Sequence, residues 1–196
     1  MNIEEVKVKI SNISDIIIEN KDYLTDLDRA IGDADHGYNM NKGFKEVKNI
    51  LDDDYNTLKD LFNKIAMTLI SNVGGASGPL YGSFFMKFAQ SLDNEKELDR
   101  DLFAKAFSQG LDAVKMRGKA KPGDKTMIDV LEPVSNAIED GKDYKKIVKI
   151  SKKAMEDTKD LKARKGRAAY LGERSIGHID PGACSSYLMI KKALEV

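Results

Sequence analysis

The apolar residues of this chain recur at three- and four-residue steps, and this spacing restricts the fold more than any other feature. The first such stripe, Ile3, Val6, Ile10, Ile13 and Ile17, occupies one face of a helix. Beyond a few residues, nothing in the sequence alternates apolar and polar positions as a half-buried strand would. The chain is therefore predicted to be all-α, with eight helices of about 12 to 18 residues each.

Length and composition suit a single domain spanning residues 1–196. The 196 residues are 41% hydrophobic and 33% charged, which is enough to build one core under a polar surface. The 32 basic residues balance 32 acidic ones, which argues against a nucleic-acid partner. A single cysteine fits a reducing cytoplasm, and every apolar run is far shorter than the roughly 20 residues of a membrane helix. We therefore expect a cytoplasmic protein without a membrane partner.

The glycines gather in four loops that separate the helical stripes. They are loop A (residues 32–37), loop B (74–78), loop C (117–124) and loop D (166–182). These loops are expected to follow the first, third, fifth and seventh helices, whereas the other connections are merely polar. Alternate connections of an up-and-down bundle lie at the same end. One end of the bundle is therefore predicted to carry the function.

Loop A contains carboxylates at a spacing that suggests a metal site. Asp33 and Asp35 alternate between two glycines, so an extended backbone would direct both to one side, and Asp28 precedes them at the end of a helix. All-oxygen ligation favours Mg²⁺ or Ca²⁺, although the pattern does not satisfy an EF-hand. The alternative is that these are ordinary capping and turn aspartates on a solvated loop.

Loops B and C suggest anion binding less specifically. Loop B leads directly into a helix that opens near Ser77, where free backbone N–H groups favour an anion, although a flexible turn is the alternative. Loop C looks like a phosphate-binding P-loop, but Asp124 stands between Gly123 and Lys125 and no strand precedes it. Asp124 is instead predicted to be the N-cap of the following helix.

Loop D and the residues beside it are rich in groups that pair with phosphate. Guanidinium groups form paired hydrogen bonds with phosphate oxygens. The phosphate-pairing groups in and beside loop D are Arg164, Lys165, Arg167, Arg174, His178 and Asp180.

The number of metal ions follows from the charges. ATP would add about four negative charges to those of the three aspartates, so two Mg²⁺ ions are predicted rather than one.

Four motifs together resemble a known family. DADHGYNMNKGF, GGASGPLYG, GDKTMIDVLEP and GRAAYLGERSIGHIDPGACSS closely resemble the L subunits of bacterial dihydroxyacetone kinases, and the resemblance spans essentially the whole chain. The same module forms the nucleotide domain of ATP-dependent dihydroxyacetone kinases. The resemblance implies an eight-helix antiparallel up-and-down barrel, with a nucleotide and two Mg²⁺ ions at one rim.

The resemblance also assigns site residues. Asp28, Asp33 and Asp35 would be the metal ligands. From composition we expect Arg167 or Arg174 to stabilise charge on the transferring phosphoryl group. The nucleotide site would comprise His36, Gly37, Tyr38, Asn39, Ala76, Ser77, Gly118, Met127, Arg167, Asp180, Pro181 and Gly182.

The function that the resemblance implies involves other proteins. An L subunit retains ADP as a cofactor, and a phosphohistidine protein of the phosphotransferase system converts it to ATP. The γ-phosphate then passes to dihydroxyacetone held covalently on a K subunit, so the L subunit supplies no nucleophile. Because the sequence ends at Val196 without a K-like region, the K subunit is expected to be another chain.

Other functions stay open at this point. One alternative is a nucleotide-dependent regulatory module that binds a transcription regulator, with the acidic first sixty residues and the basic stretch 141–174 as docking surfaces. Another is the nucleotide-binding half of a conventional ATP-dependent kinase. The related fatty-acid kinase component is disfavoured, because it carries further domains after this module.

Overall fold

The computed structural model describes residues 1–93 and 95–195, and within them the chain is all-α, as predicted. An isolated bridge between Asn2 and Glu97 is the only β pairing of these described residues. Two short 3₁₀ segments, Thr158–Asp160 and Arg167–Ser175, lie in the connection before the last helix. The α-helices are α1 (Ile3–Glu19), α2 (Lys21–Ile31), α3 (His36–Ile50), α4 (Leu58–Asn72), α5 (Ser77–Gln90), α6 (Arg100–Gly118), α7 (Ile128–Glu139), α8 (Tyr144–Asp157) and α9 (Pro181–Leu194).

The described residues form nine α-helices rather than eight, because the first predicted helix is divided at Asn20. The side-chain amide of Asn20 donates to the carbonyl of Ile16 at 2.7 Å, and the φ and ψ of Asn20 are −94° and 15°. An asparagine side chain that competes for backbone carbonyls is a common cause of such an interruption. The separate α2 packs against α3 and α9, and Asp28 lies near its end, close to loop A.

Four helix starts follow from local sequence. The sequence predicts capping residues at Thr57, Asp99, Asp143 and Asp180, whose side chains are suited to an N-cap. A side-chain oxygen of each accepts a hydrogen bond from the backbone N–H three residues later, which satisfies a donor at the helix start. These four helix starts are confirmed.

The predicted N-cap at Asp124 is wrong. Helix α7 begins at Ile128, and the Asp124 carboxylate instead accepts from the N–H of Lys121 at 3.0 Å, which closes a turn within loop C. Asp129, in the first turn of α7, accepts from the N–H of Gly123 at 2.6 Å. The carboxylates of Asp124 and Asp129 therefore both order loop C, and α7 begins later than a cap at Asp124 would give.

The helices enclose the core in a closed order of contacts. From α3 to α9 each helix packs against the next one, α9 packs against α1, and α1 packs against α3. The core borders a partly open apolar cavity of about 390 Å³, lined in part by Phe62, Phe84, Phe88 and Phe103. The alternating helix directions of a barrel stay a prediction. Among the described residues, no helix has the length and apolarity that a bilayer crossing needs.

Candidate functional site

All four glycine-rich loops contribute to one polar cavity of about 640 Å³. Loop A supplies Asp33 and Asp35, while loop B supplies Ala76 and Ser77. Loops C and D contribute Gly118 and Arg167, respectively. Loops that are far apart in sequence therefore meet at the place where their residue types predict a nucleotide.

The three aspartates of the predicted metal site lie together. One oxygen from each of Asp28, Asp33 and Asp35 lies within 4.8 Å of the others. The extended backbone predicted for loop A is wrong, because Ala34 has a φ of 61°, in the left-handed region. The carboxylates converge because loop A turns back onto the end of α2, where Asp28 is located.

Asp28 joins loop A to the start of α3. Its Oδ2 atom accepts from the backbone N–H of Asp35 at 2.8 Å and from that of His36 at 3.1 Å. These N–H groups are at the positive end of the α3 dipole, where a carboxylate is stabilised. The side chain of Asp28 is buried, so its position is set before any cation binds.

The charge balance of the cluster suits a hard cation. Burial and the neighbouring carboxylate of Asp33 raise the pKa of Asp35, and Asp28 raises it further, whereas a hydrogen bond with Asn39 and the charge of Arg167 lower it. Arg167 Nε lies 2.8 Å from Asp33 Oδ2 and offsets one of the three negative charges. Three carboxylates supply the oxygen ligands that Mg²⁺ prefers, so the residues present fit this ion.

His36 ties three elements together beneath the cavity. Its Nδ1 lies 3.1 Å from Ser77 Oγ at the start of α5, and its Nε2 lies 3.0 Å from Ser185 Oγ on α9. Tyr81 Oη lies 2.8 Å from the same Ser185 hydroxyl. Burial lowers the pKa of His36 to about 4, against the effect of the nearby Asp28 carboxylate. A neutral imidazole with both nitrogens engaged orients Ser77 rather than reacting.

The cavity lining combines a helix N-terminus with apolar side chains. Loop B leads into the N-terminus of α5, which has no side-chain cap, and Ala76 and Ser77 at this terminus line the cavity. Aliphatic side chains also line it. They are Leu80, Val114, Ala120, Met127 and Ile128. An anion site beside an apolar wall matches the two ends of a nucleotide.

Asp180 caps α9 at the floor of the cavity. Its Oδ2 accepts from the N–H of Ala183 at 2.7 Å. Burial raises the pKa of Asp180 to about 7; the N–H of Ala183 and the charge of Lys125 oppose this rise, whereas Asp129 and Asp28 add to it. Pro181 and Gly182 line the cavity beside it.

Four predicted site residues do not line this cavity. Gly37, in the first turn of α3, packs closely against α2. Tyr38 is exposed with the ammonium of Lys21 5.0 Å from its ring centre, and Asn39 is hydrogen-bonded to Asp35. Arg174 is exposed outside the cavity lining. The nucleotide and phosphoryl-transfer roles assigned to these residues stay predictions.

Two basic residues of the cavity, Arg117 and Lys125, were missed as candidate site residues, whereas Lys165, named with the phosphate-pairing groups, does line it. Arg117 lies in the last turn of α6, and its place in glycine-rich loop C was the available signal. Lys125 is 1% exposed, and nothing in the sequence suggests this, because a lysine is rarely buried completely.

Comparison with known proteins identifies the family. Residues 30–195 match the DAK2 domain. The chain belongs to the DAK2 domain family. A PEP-dependent dihydroxyacetone kinase ADP-binding subunit DhaL from Listeria innocua is 47% identical to this DAK2 chain over 187 residues, covering 95% of this chain and 92% of the relative. The DhaL subunit of Escherichia coli is 44% identical over 194 residues, covering 93% and 91%. The PTS-dependent counterpart of Lactococcus lactis is 42% identical over 188 residues, covering 95% and 94%.

The structural comparison agrees with the sequence comparison. The dihydroxyacetone kinase of C. freundii in complex with AMP-PNP and Mg²⁺ matches this DAK2 chain with a TM-score of 0.79 and 26% identity. The match covers 95% of this chain and 33% of the C. freundii chain, so it concerns one part of a longer kinase. The predicted resemblance to L subunits of dihydroxyacetone kinases and the predicted kinase class are therefore confirmed.

Proposed function

We propose that this DAK2 chain is the ADP-binding subunit of a cytoplasmic dihydroxyacetone kinase. A phosphohistidine protein of the phosphotransferase system rephosphorylates the bound ADP, and dihydroxyacetone on a separate K subunit receives the γ-phosphate. The observation that carries the proposal is one cavity with three carboxylates, the open N-terminus of α5 and an apolar wall. DhaL relatives with PEP-dependent and PTS-dependent names support the choice of phosphoryl donor.

Asp28, Asp33 and Asp35 would hold the magnesium, and the charge balance favours two ions over one. When bound, Mg²⁺ neutralises phosphate oxygens and orients them for transfer. The similar C. freundii kinase structure, which is in complex with AMP-PNP and Mg²⁺, supports this ion and this class of nucleotide.

The chain's own residues would bind and orient the nucleotide. The N–H groups at the start of α5 and the Ser77 hydroxyl, which lies 3.1 Å from His36 Nδ1, would bind the phosphates. Gly118 and Met127 line the same cavity with the aliphatic side chains, and the adenine would lie against them. Arg167, which pairs with Asp33, would stabilise negative charge during transfer, and the attacking hydroxyl would belong to dihydroxyacetone on the partner.

The nucleotide content of the freshly purified protein tests the proposal. We expect about one ADP per chain that survives gel filtration and is released when a chelator removes Mg²⁺, because the carboxylates hold the nucleotide through the metal. Asp35→Ala should lose this ADP and the kinase activity measured with K subunit and phosphotransferase proteins. Asp26→Ala, at an exposed carboxylate on α2, is the matched control and should retain both.

Either of two results would contradict the proposal. Full activity with bound ADP in Asp35→Ala would refute the metal assignment. A protein that is purified empty and exchanges ATP freely would instead identify the nucleotide half of a conventional ATP-dependent kinase.

A further inference from the structure

Lys125 is a completely buried lysine beside the cavity, with its ammonium surrounded by backbone carbonyls. Its side chain is 1% exposed. The Nζ atom donates to the carbonyls of Thr158 at 2.8 Å, Leu161 at 3.1 Å, Ser175 at 2.7 Å and His178 at 2.5 Å. A buried ammonium is tolerated only where acceptors replace its water, and here four of them do so.

All four carbonyls belong to the α8–α9 connection (residues 158–180). Two of them lie near its beginning and two near its end, so one ammonium draws both ends of the connection to the same point. Between these ends lies Arg167, which pairs with Asp33 across the cavity. The position of Arg167 therefore depends on the hydrogen bonds that hold the connection in place.

The α8–α9 connection has little apolar support of its own. Its buried apolar residues Ala163 and Ala168 pack with Ile31 in a small cluster that is separate from the main core, against which Ile179 near its end packs. Arg164 N donates to the Asp124 carbonyl of loop C at 3.0 Å, while the hydrogen bond from Asp180 N to Thr158 Oγ1 at 3.1 Å joins the two ends of the connection to each other. A segment with few apolar contacts relies on its polar ones for order.

The backbone at Lys125 points to a tertiary constraint. Its φ is 63°, a left-handed conformation that a lysine rarely adopts and that persists only where the surroundings enforce it. Burial lowers the pKa of Lys125, whereas the carboxylates of Asp180, Asp160 and Asp129 act in the opposite direction. Those three carboxylates and the carbonyls together accommodate the positive charge.

We propose that Lys125 is a positioning residue, whose ammonium holds the α8–α9 connection in the conformation that presents Arg167 and the Asp180 turn to the nucleotide. The inference rests on the proposed function for the identity of the ligand. Lys125 lines the cavity, and a direct phosphate contact is the competing role. An ammonium has three protons, and four carbonyls already compete for them, so a phosphate would have to displace them.

Lys125→Met tests the proposal, since methionine keeps an unbranched side chain without the charge. With helix content unchanged by circular dichroism, amide hydrogen exchange across residues 158–180 should accelerate about 10- to 100-fold, as expected for losing hydrogen bonds to a charged group. The Kd for Mg·ADP should rise by a similar factor. Lys121→Met, at an exposed lysine four residues earlier, should match the wild-type protein in both measurements.

Chemical rescue separates positioning from mere loss of packing. Methylammonium added to Lys125→Ala should restore slow exchange in residues 158–180 and at least part of the ADP affinity. Tetramethylammonium has the same charge but no N–H donors, and it should restore neither.

A measurement on the wild-type protein covers the case in which the variants do not fold. The ¹⁵Nζ resonance of Lys125 should show scalar couplings across its hydrogen bonds to the carbonyls, and these should persist when Mg·ADP binds. Loss of the couplings on binding would overturn the proposal in favour of a phosphate contact. Wild-type exchange and wild-type Kd in Lys125→Met would also overturn it. Failure of the wild-type protein to bind ADP would contradict the proposed function instead.

Discussion

At the scale of single residues, the site contains carboxylates with different tasks. Asp28 is buried, accepts two backbone N–H groups at the start of α3 and is therefore fixed in place. Asp33 is more exposed and is paired with Arg167, so it is freer to adjust to a ligand. Asp180 is held as the cap of α9 at the floor of the cavity. How firmly each carboxylate is held therefore depends on its burial and its hydrogen bonds, since all three residues are aspartates.

The raised pKa of Asp180 predicts a pH dependence of stability. Burial raises this pKa from an ordinary value of 3.8 to about 7, so the folded protein binds the proton more tightly than the unfolded chain does. The contribution of this proton to stability is therefore fully present below pH 3.8 and is lost as the pH rises through 7. Asp180→Asn keeps a capping oxygen but does not titrate.

Urea unfolding of the nucleotide-free protein measures this dependence. Between pH 4 and pH 7, the unfolding free energy of Asp180→Asn should rise relative to that of the wild-type protein. Parallel pH profiles for the two proteins would show that Asp180 has an ordinary pKa. Asp112→Asn, at an exposed carboxylate on α6, should follow the wild-type profile.

At the scale of elements, the packing of α2 against α3 positions loop A. A Cβ atom on Gly37 would lie 2.0 Å from the Lys21 carbonyl and 2.4 Å from Thr25 Oγ1. Only glycine therefore permits this approach of the two helices, and a backbone carbonyl is unable to move aside as a flexible side chain does. Gly37 therefore supports the site through the packing of α2 against α3. This role does not depend on its predicted contact with the nucleotide.

Gly37→Ala should separate α2 from α3 and destabilise the protein by about 1–3 kcal/mol, the usual cost of overpacking. Because Asp28 lies on α2 and Asp35 precedes α3, the affinity for Mg·ADP should fall as well. Gly118→Ala is the control for stability without nucleotide, since its Cβ would have Leu80 Cδ2 as nearest neighbour at 3.4 Å. Denaturant unfolding that gives equal losses for both variants would contradict this role of Gly37.

At the scale of the whole molecule, two cavities of different polarity are connected through a group of hydroxyls. Tyr81 and Ser186 line the apolar cavity in the core, and Ser185 Oγ lies 3.0 Å from Nε2 of His36, which lines the cavity at the loops. Tyr81 Oη lies 2.8 Å from Ser185 Oγ and 2.9 Å from Ser186 Oγ. These hydroxyls satisfy one another, so polar atoms lie beside an apolar interior without a large desolvation cost.

Because loops from separate parts of the chain line the polar cavity, a ligand there should stabilise the whole fold. Mg·ADP at a hundredfold excess over its Kd should add about 2.7 kcal/mol and raise the Tm by about 5 to 10 °C. Excess chelator should reverse the rise. Asp35→Ala should show no rise, and a rise in that variant equal to the wild-type value would exclude a role of the carboxylates in binding.

The helical class, four helix starts, the family and the proximity of the three aspartates could all be predicted from the sequence. These features depend on local periodicity, on side chains that cap their own helix and on motifs contiguous in the chain. The left-handed Ala34 and the burial of Lys125 arise only once distant segments have packed, whereas the break at Asn20 has a local cause that the apolar periodicity does not reveal. The four carbonyls that accept from Lys125 lie 33 to 53 residues away, and no local pattern specifies a contact that exists only after the loops have met.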